Sequence, residues 1–265
     1  MLEYSNHLDQ KLLLKLFHNE INVLCIKNYK KYNNIQDILS RIDSTIKDNK
    51  NSSYAYTNNG IENIVSHICS SSYEIDNDKV RFDNYYNNVD KNFAKSQYVF
   101  APEITPIECF LNDLNVLWDH GATIDSFHAQ AMFAGIIRVI HDHSAIHAHQ
   151  DFAKWSNPRA LGIDNIVGQF GMNYFIQIPE EGGELLCWNK SMQLDEFNTA
   201  AKGDFCIPID QLPTPDLIIK PEVGMLVLLN ANKLHAINMS YGSARIAMSC
   251  FLAYRGTDHK LTIWS

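Results

Sequence analysis

The sequence predicts an α+β fold. A mostly helical front region, residues 1–132, packs on a double-stranded β-helix of jelly-roll form, residues 133–265, and the two make one integrated domain. Three observations carry this expectation. Apolar residues recur at helical spacing early in the chain, a strong helix start stands at Thr105, and from Ala134 onward the pattern turns to short runs separated by turns.

From residue 8 to about 49, Leu8, Leu12 and Leu16, then Ile35, Ile38, Leu39, Ile42 and Ile46, predict two amphipathic helices whose stripes pack the core. Asn51-Ser52-Ser53 and Thr57-Asn58-Asn59-Gly60 read as turns. Residues 61–68 predict another helix, with His67 in a packing or surface role. Asparagine-rich 84–92 has no clear period and reads as a loop or a lid. In Thr105-Pro106-Ile107-Glu108, Thr can cap, Pro suits the first turn and Glu closes a capping box. That helix buries Phe110, Leu111, Leu114 and Leu117 and ends before Gly121.

The strands follow. Ala134 to Ile140 is rich in β-branched residues. Gly171 to Ile178 alternates, with Asn173, Phe175 and Gln177 on one side. Pro179-Glu180-Glu181-Gly182-Gly183 turns into Glu184-Leu185-Leu186-Cys187-Trp188. The runs 217–221, 225–229 and 245–253 complete a cupin-like set. In the last of these, Arg245, Ala247 and Ser249 share one side while Ile246, Met248, Cys250 and Leu252 share the other. Small and polar neighbours beside the arginine suit a cavity wall, and the apolar side suits packing on the front helices.

A length of 265 residues is enough for a full core, and 46% hydrophobic residues is an ordinary globular composition. A net charge of -8 without a lysine/arginine cluster argues against nucleic acid or an anionic membrane as partner and leaves small molecules as the default ligand. Six cysteines, scattered and without a C-x-x-C, read as free thiols. The N-terminal stretch lacks a basic region followed by an apolar signal core, and no apolar run approaches a membrane span. A cytoplasmic location is expected.

Chemistry concentrates in residues 141–151. Four of the eleven histidines lie here with two aspartates and no cysteine, a donor mixture suited to iron or another mid-series divalent metal. In an extended strand His149 and Asp151 point to one side, so an imidazole and a carboxylate can grip one ion. His235, after the apolar run 225–229, offers a third ligand, and Arg245 follows ten residues later. Two histidines and one carboxylate make a facial triad with open positions.

His149, Asp151, His235 and Arg245, in this order and spacing, resemble the Fe(II)- and 2-oxoglutarate-dependent dioxygenase superfamily over about residues 133–254. Pro179-Glu180-Glu181-Gly182-Gly183-Glu184-Leu185 with Trp188-Asn189, and Pro221-Glu222-Val223-Gly224 before His235, resemble its prolyl-hydroxylase-like branch. Chain length, the helical front half and the Gly-Gly-Glu-Leu-x-x-Trp-Asn form also resemble the group that hydroxylates or halogenates free amino acids, the lysine halogenases among them. The resemblance implies Fe(II) on His149, Asp151 and His235. It further implies 2-oxoglutarate chelated to the iron with its far carboxylate on Arg245, O2 as second cosubstrate, and succinate and CO2 as coproducts. A halogenase of this type carries Gly or Ala at the carboxylate position, so Asp151 points to hydroxylation of an unactivated C–H in a small molecule, above all a free amino acid.

Many relatives carry Ser two residues after the arginine, where Ala247 stands. Ser249, Ser243 or Asn173 are the candidates to replace it on the cosubstrate. Arg138, Asp142 and Trp188 are candidate substrate contacts, although for Arg138 a charge on the strand's solvent side is the preferred reading. His147 is assigned behind the ligands or at the surface, and His141 and His143 to the loop before the site. A peptidyl or protein hydroxylase and a non-catalytic metal-binding cupin are the alternative functions.

Overall fold

The computed structural model describes residues 1–48, 53–58, 61–75, 79–156, 160 and 162–265. Strand β1 (Leu2–Ser5) leads to helix α1 (Gln10–Phe17), capped by Asp9, whose carboxylate accepts the Leu12 N–H at 2.8 Å. Strand β2 (Val23–Ile26) pairs in parallel with β1, and α2 (Ile35–Asp48) follows with Ile38 and Ile42 buried. The two predicted helices are therefore present. The strand between them is buried at all four positions and offers no period for sequence reading to detect.

Strands β3 (Ser53–Asn58) and β4 (Ile61–Ile68) form an antiparallel hairpin where a helix was expected over 61–68. Ile61, Ile64, Val65 and Ile68 satisfy helical spacing, yet all four are β-branched, and β4 has a strand to pair with on either side. Of the predicted turns, residues 51, 52, 59 and 60 lie outside the described residues, and Ser53, Thr57 and Asn58 belong to β3. The expected loop over 84–92 is instead the junction of α3 (Lys79–Asn87) and α4 (Val89–Phe100). Tertiary bonds outweigh its weak propensity: the buried Tyr85 hydroxyl donates to the Ser265 carbonyl at 3.0 Å and accepts the Phe133 N–H at 3.2 Å.

Helix α5 (Pro106–Leu117) starts as read, with Thr105 Oγ1 accepting from Glu108 N at 3.1 Å and Glu108 accepting from Thr105 N at 2.7 Å. Then come β5 (Ala122–Ile124), β6 (Ile136–Ile140), β7 (Ile146–His149), α6 (Ala153–Ser156), β8 (Gly168–Gln177), β9 (Glu181–Gly182), β10 (Leu185–Cys187) and α7 (Leu194–Ala200). The chain ends with β11 (Leu217–Ile219), β12 (Leu226–Asn230), β13 (His235–Ile237), β14 (Ser240–Tyr241), β15 (Arg245–Tyr254) and β16 (Leu261–Trp264).

These strands form a large sheet in the order β1-β2-β12-β8-β15-β6-β4-β3, with β16 beside β15 and β5 beside β16. A smaller sheet runs β11-β10-β13-β7, and β14 pairs with β9. The result is a mixed α and β architecture. The front region is more than a helical layer, because β1 and β2 extend one edge of the large sheet and β3 and β4 the other.

One apolar core joins the large sheet to the helices, with Ile246, Met248, Cys250 and Leu252 packed in the same cluster as Leu13, Leu16, Phe110 and Leu114. A second lies between the two sheets, where Phe175, Val227 and Ala247 meet Leu185, Cys187 and Ile219. A third, including Ala148, Leu186, Trp188, Phe197 and Ala236, covers the outer face of the small sheet. The alternation read along β15 is thus realised. Its apolar side meets the helices and its arginine side faces the small sheet.

Candidate metal centre

Strands β7 and β13 are antiparallel neighbours in register at His149 and His235, whose ring centroids lie 4.3 Å apart. Each ring is fixed from behind in the same way. His149 Nδ1 donates to the His147 carbonyl at 2.8 Å, and His235 Nδ1 donates to the Lys233 carbonyl at 2.9 Å. A carbonyl can only accept, so the proton sits on Nδ1 and the Nε2 lone pair is left for an electrophile.

Asp151 lies two residues beyond His149, and its backbone is pinned to the β12–β13 link. Its N–H donates to the Ala231 carbonyl at 2.8 Å, and its carbonyl accepts from Asn232 Nδ2 at 3.0 Å. Gln150 points the other way and clamps Met192, accepting its N–H at 2.6 Å and donating to its carbonyl at 3.1 Å. Asp151 Oδ2 is consequently 3.3 Å from His235 Nε2 and 3.9 Å from His149 Nε2. One donor atom from each of the three side chains lies within 4.8 Å of the others. Two imidazoles and one carboxylate converging in a buried place fit a mid-series divalent ion such as Fe(II), with positions left open.

The other oxygen, Oδ1, accepts the Tyr73 hydroxyl at 2.6 Å. Tyr73 lies on the single turn Ser72–Glu74, tied to the chain's end by Ser72 N donating to the Ser265 carbonyl at 2.8 Å. Sequence reading missed this residue, which belongs to no motif and sits 78 positions from its partner. Burial, then the neighbouring Asp151, hold the Tyr73 hydroxyl well above its ordinary pKa, so it stays a donor. For Asp151, burial alone would raise the carboxyl pKa. The opposing pull of His149, of His235 and of the Tyr73 hydrogen bond is stronger and keeps it below the usual carboxylate range. Burial, helped by His235, pushes His149 down to about 4, which leaves its imidazole neutral at physiological pH.

The opposite wall belongs to the large sheet. Arg245, the first residue of β15, is 2% exposed, its guanidinium lies 4.8 Å from the Phe175 ring centroid, and its Nε has no hydrogen-bond partner. Among the described residues no carboxylate pairs with it. Burial, then the charge of Arg138, push its pKa down to about 9, so it remains a cation at neutral pH. Arg138, on β6, stands opposite Ala247 in the β6–β15 register and donates from Nη1 to Ser249 Oγ at 2.8 Å. Ser249 therefore engages Arg138, while Asn173, opposite Ser249 on β8, is half-buried on the same face. Ser243 sits in the turn before β15, its hydroxyl directed at the Ile178 carbonyl 3.5 Å away.

Two proposed substrate contacts do not reach this space. Asp142 is exposed in the β6–β7 turn and accepts the N–H groups of His143 and Gly242 at 3.0 and 2.9 Å, a turn-closing role. Trp188 follows the small-sheet strand β10 on the outer side and donates its indole N–H to the Pro213 carbonyl at 2.7 Å. Alternation along β10 explains this, since Leu185 and Cys187 take the inward positions. His141 bonds Ser66, exposed His143 pairs with Asp142, and the His147 ring accepts the Ile209 N–H at 3.3 Å. His147 serves the centre through its carbonyl alone. His67 is half-buried on β4 and donates from Nδ1 to the Cys69 carbonyl at 2.8 Å.

The family model of the carrier-protein-independent halogenase WelO5 matches residues 4–265. The chain belongs to that family. No curated protein matches it in sequence. Among solved structures it is similar to an N-substituted L-amino acid dioxygenase from Burkholderia ambifaria AMMD, at 14% identity and a TM-score of 0.60 over 96% of this chain and 91% of that one. The same dioxygenase in complex with alpha-KG matches at 14% identity and a TM-score of 0.59, over 96% and 90%. HygX from Streptomyces hygroscopicus, solved with nickel and 2-oxoglutarate bound, matches at 12% identity and a TM-score of 0.51, over 96% and 89%. At such identities these likenesses speak to the fold.

Proposed function

We propose that the chain is an Fe(II)- and 2-oxoglutarate-dependent oxygenase that hydroxylates an unactivated C–H of a small molecule, above all a free amino acid. The large and small sheets are read as the two halves of a double-stranded β-helix, with residues 1–132 and 133–265 working as one unit. The observation that carries the reaction type is Asp151 Oδ2, aimed with His149 Nε2 and His235 Nε2 at one point.

His149, His235 and Asp151 would hold the iron, and Arg245 would pair with the far carboxylate of 2-oxoglutarate, its planar fork matched to a carboxylate edge. When bound together, iron and 2-oxoglutarate supply O2 activation, with succinate and CO2 released and one oxygen atom delivered to the substrate. The protein's share is orientation and the exclusion of water by the apolar residues between the sheets. The family's named member is a halogenase, a reaction that needs a halide among the metal's ligands. Asp151 occupies the place such a halide would take, and this supports hydroxylation here.

Among the described residues no helix is long and apolar enough to cross a membrane, and Cys25, Cys109, Cys187, Cys206 and Cys250 are free thiols. Free thiols support a reducing compartment, so the cytoplasm is the proposed location.

The test supplies purified protein with Fe(II), 2-oxoglutarate, O2, excess chloride and a panel of free and N-acylated amino acids. The expected result is succinate formation and a product heavier by one oxygen. A chlorinated main product would overturn the reaction type, and no succinate under any condition would overturn the oxygenase reading.

A further inference from the structure

We propose that Arg138 is a second carboxylate anchor of the cavity, and that the carboxylate it holds belongs to the substrate. The inference rests on the oxygenase reading above and names a class of substrate for it: a compound carrying an anionic group near the carbon attacked.

Arg138 sits midway along β6 and is half-buried rather than solvated. Its neighbours in register are Ala247 on β15 and His67 on β4. Ala247 is small and leaves room beside the guanidinium, and His67 has its Nδ1 proton committed to the Cys69 carbonyl. Ser249 takes one Nη1 hydrogen of Arg138 and thereby fixes the direction of the side chain. The rest of the fork keeps donors that no described carboxylate meets. Its register partner Ala247 lies two residues from Arg245 along β15, so the two guanidinium groups project from one face of the large sheet.

Two guanidinium groups on one face, one buried and one half-buried, with no acid paired to either among the described residues, call for anions to complete the site. Charge counting then separates the anions. Iron(II) brings two positive charges and each arginine one, while Asp151 contributes one negative charge and 2-oxoglutarate two. One positive charge remains. The cosubstrate's near end is committed to the metal and its far end to Arg245, so the surplus falls on Arg138. A carboxylate on the substrate, whether of an N-acyl amino acid or of the zwitterionic amino acid, would close the balance locally at Arg138, whereas a substrate without an anionic group leaves that half-buried cation unpaired.

The approach to Arg138 is also built for a small molecule. Tyr54, on β3, lies with its ring centroid 6.3 Å from that of His67, and Phe205, 69% exposed, lies 6.4 Å from the His149 ring. Aromatic rings beside His67 and His149, the one a register neighbour of Arg138 and the other a metal ligand, suit a compound with an apolar body and a carboxylate.

The experiment uses anaerobic protein loaded with Fe(II). Binding of 2-oxoglutarate is followed by the visible absorbance of its iron chelate. Perturbation of that absorbance, and of the melting temperature, is then followed with matched pairs of probes: amino acids and N-acyl amino acids against their carboxamides. In the wild type the acids are expected to bind and the amides to bind weakly. Arg138→Leu is expected to weaken the acids roughly ten- to hundredfold, the scale of a hydrogen bond to a charged group, with a much smaller loss of 2-oxoglutarate affinity. Arg138→Lys, which keeps the charge, should recover part of the loss and guards against a folding defect.

The proposal is overturned if amides bind as well as acids to the wild type, or if no acid perturbs it. A loss of 2-oxoglutarate affinity in Arg138→Leu equal to that in Arg245→Leu would reassign Arg138 to the cosubstrate and overturn it as well. Failure of the underlying oxygenase reading looks different, since the wild type would then form no iron chelate with 2-oxoglutarate and no succinate in air.

Discussion

On the small-sheet wall of the site, each donor of the His149–Asp151–His235 set is turned inward by a bond of its own, whereas on the large-sheet wall the arginine charges meet no acid among the described residues. His149 and His235 lean on carbonyls two residues back, and Asp151 leans on Tyr73 and the β12–β13 link. Among the described residues, Arg245 Nε meets no hydrogen-bond partner and Arg138 bonds Ser249 alone. The first wall is preorganised for one ion and needs nothing else from the protein. The second is complete only when carboxylates enter, so its occupants are substrates rather than residents.

That contrast is sharpest at the metal. His235→Ala removes one imidazole and also the cross-strand partner of His149. Bound iron and succinate formation should both fall to background, measured by metal analysis of the purified protein and by turnover. Wild-type iron content in this variant would sink the ligand assignment.

Asp151→Gly probes the same wall differently, because it removes a ligand and a negative charge while opening a coordination position. Hydroxylation is expected to be lost. Halogenation should appear weakly or not at all, since the Tyr73 hydroxyl is arranged around a carboxylate rather than a halide. Mass analysis of product made with excess chloride checks this, and efficient chlorination would show that the carboxylate alone decides the outcome.

On the opposite wall the effect should be large but separable. Arg245→Leu keeps the volume and removes the buried charge. The requirement for 2-oxoglutarate should rise on the order of a hundredfold, the loss of charged hydrogen bonds to one carboxylate, while iron stays bound. An unchanged cosubstrate dependence would remove Arg245 from its role.

The two walls also differ in how much of them could be read from the chain. Metal chemistry demands particular residue types at particular spacings, so His149, Asp151, His235 and Arg245 stand out without a fold. Local rules likewise exposed the capping box at Thr105 and the two faces of β15. What stayed hidden depends on pairing across long separations. Strand β4 was read as a helix because its apolar residues satisfy helical spacing, and only the strands on either side of it decide otherwise. Arg138 was left open between solvent and cavity because its direction is set by Ser249, 111 residues away. Trp188 lies in the outer cluster because alternation along β10 gives the inward positions to Leu185 and Cys187.

Tyr73 is the clearest of these hidden residues, and it gives the smallest effect expected at the site. Its hydroxyl takes Oδ1 of Asp151, which leaves Oδ2 to face His149 and His235. Tyr73→Phe keeps the ring, and with it the edge-to-face contact with Phe251 at 6.0 Å. The variant therefore tests the hydrogen bond rather than the packing. Without that bond the carboxylate can rotate and present both oxygens to the metal, and a buried oxygen loses its donor. Metal affinity should fall roughly tenfold, toward the lower end of what a residue behind the ligands contributes. Titration with Co(II) reads this directly, and the d–d spectrum should report a changed coordination even where the metal is saturating. The melting temperature of the metal-free protein should move much less than that of the loaded one. If affinity and spectrum both match the wild type, Asp151 is held by its backbone pins alone, and the front half of the chain has no part in the metal centre.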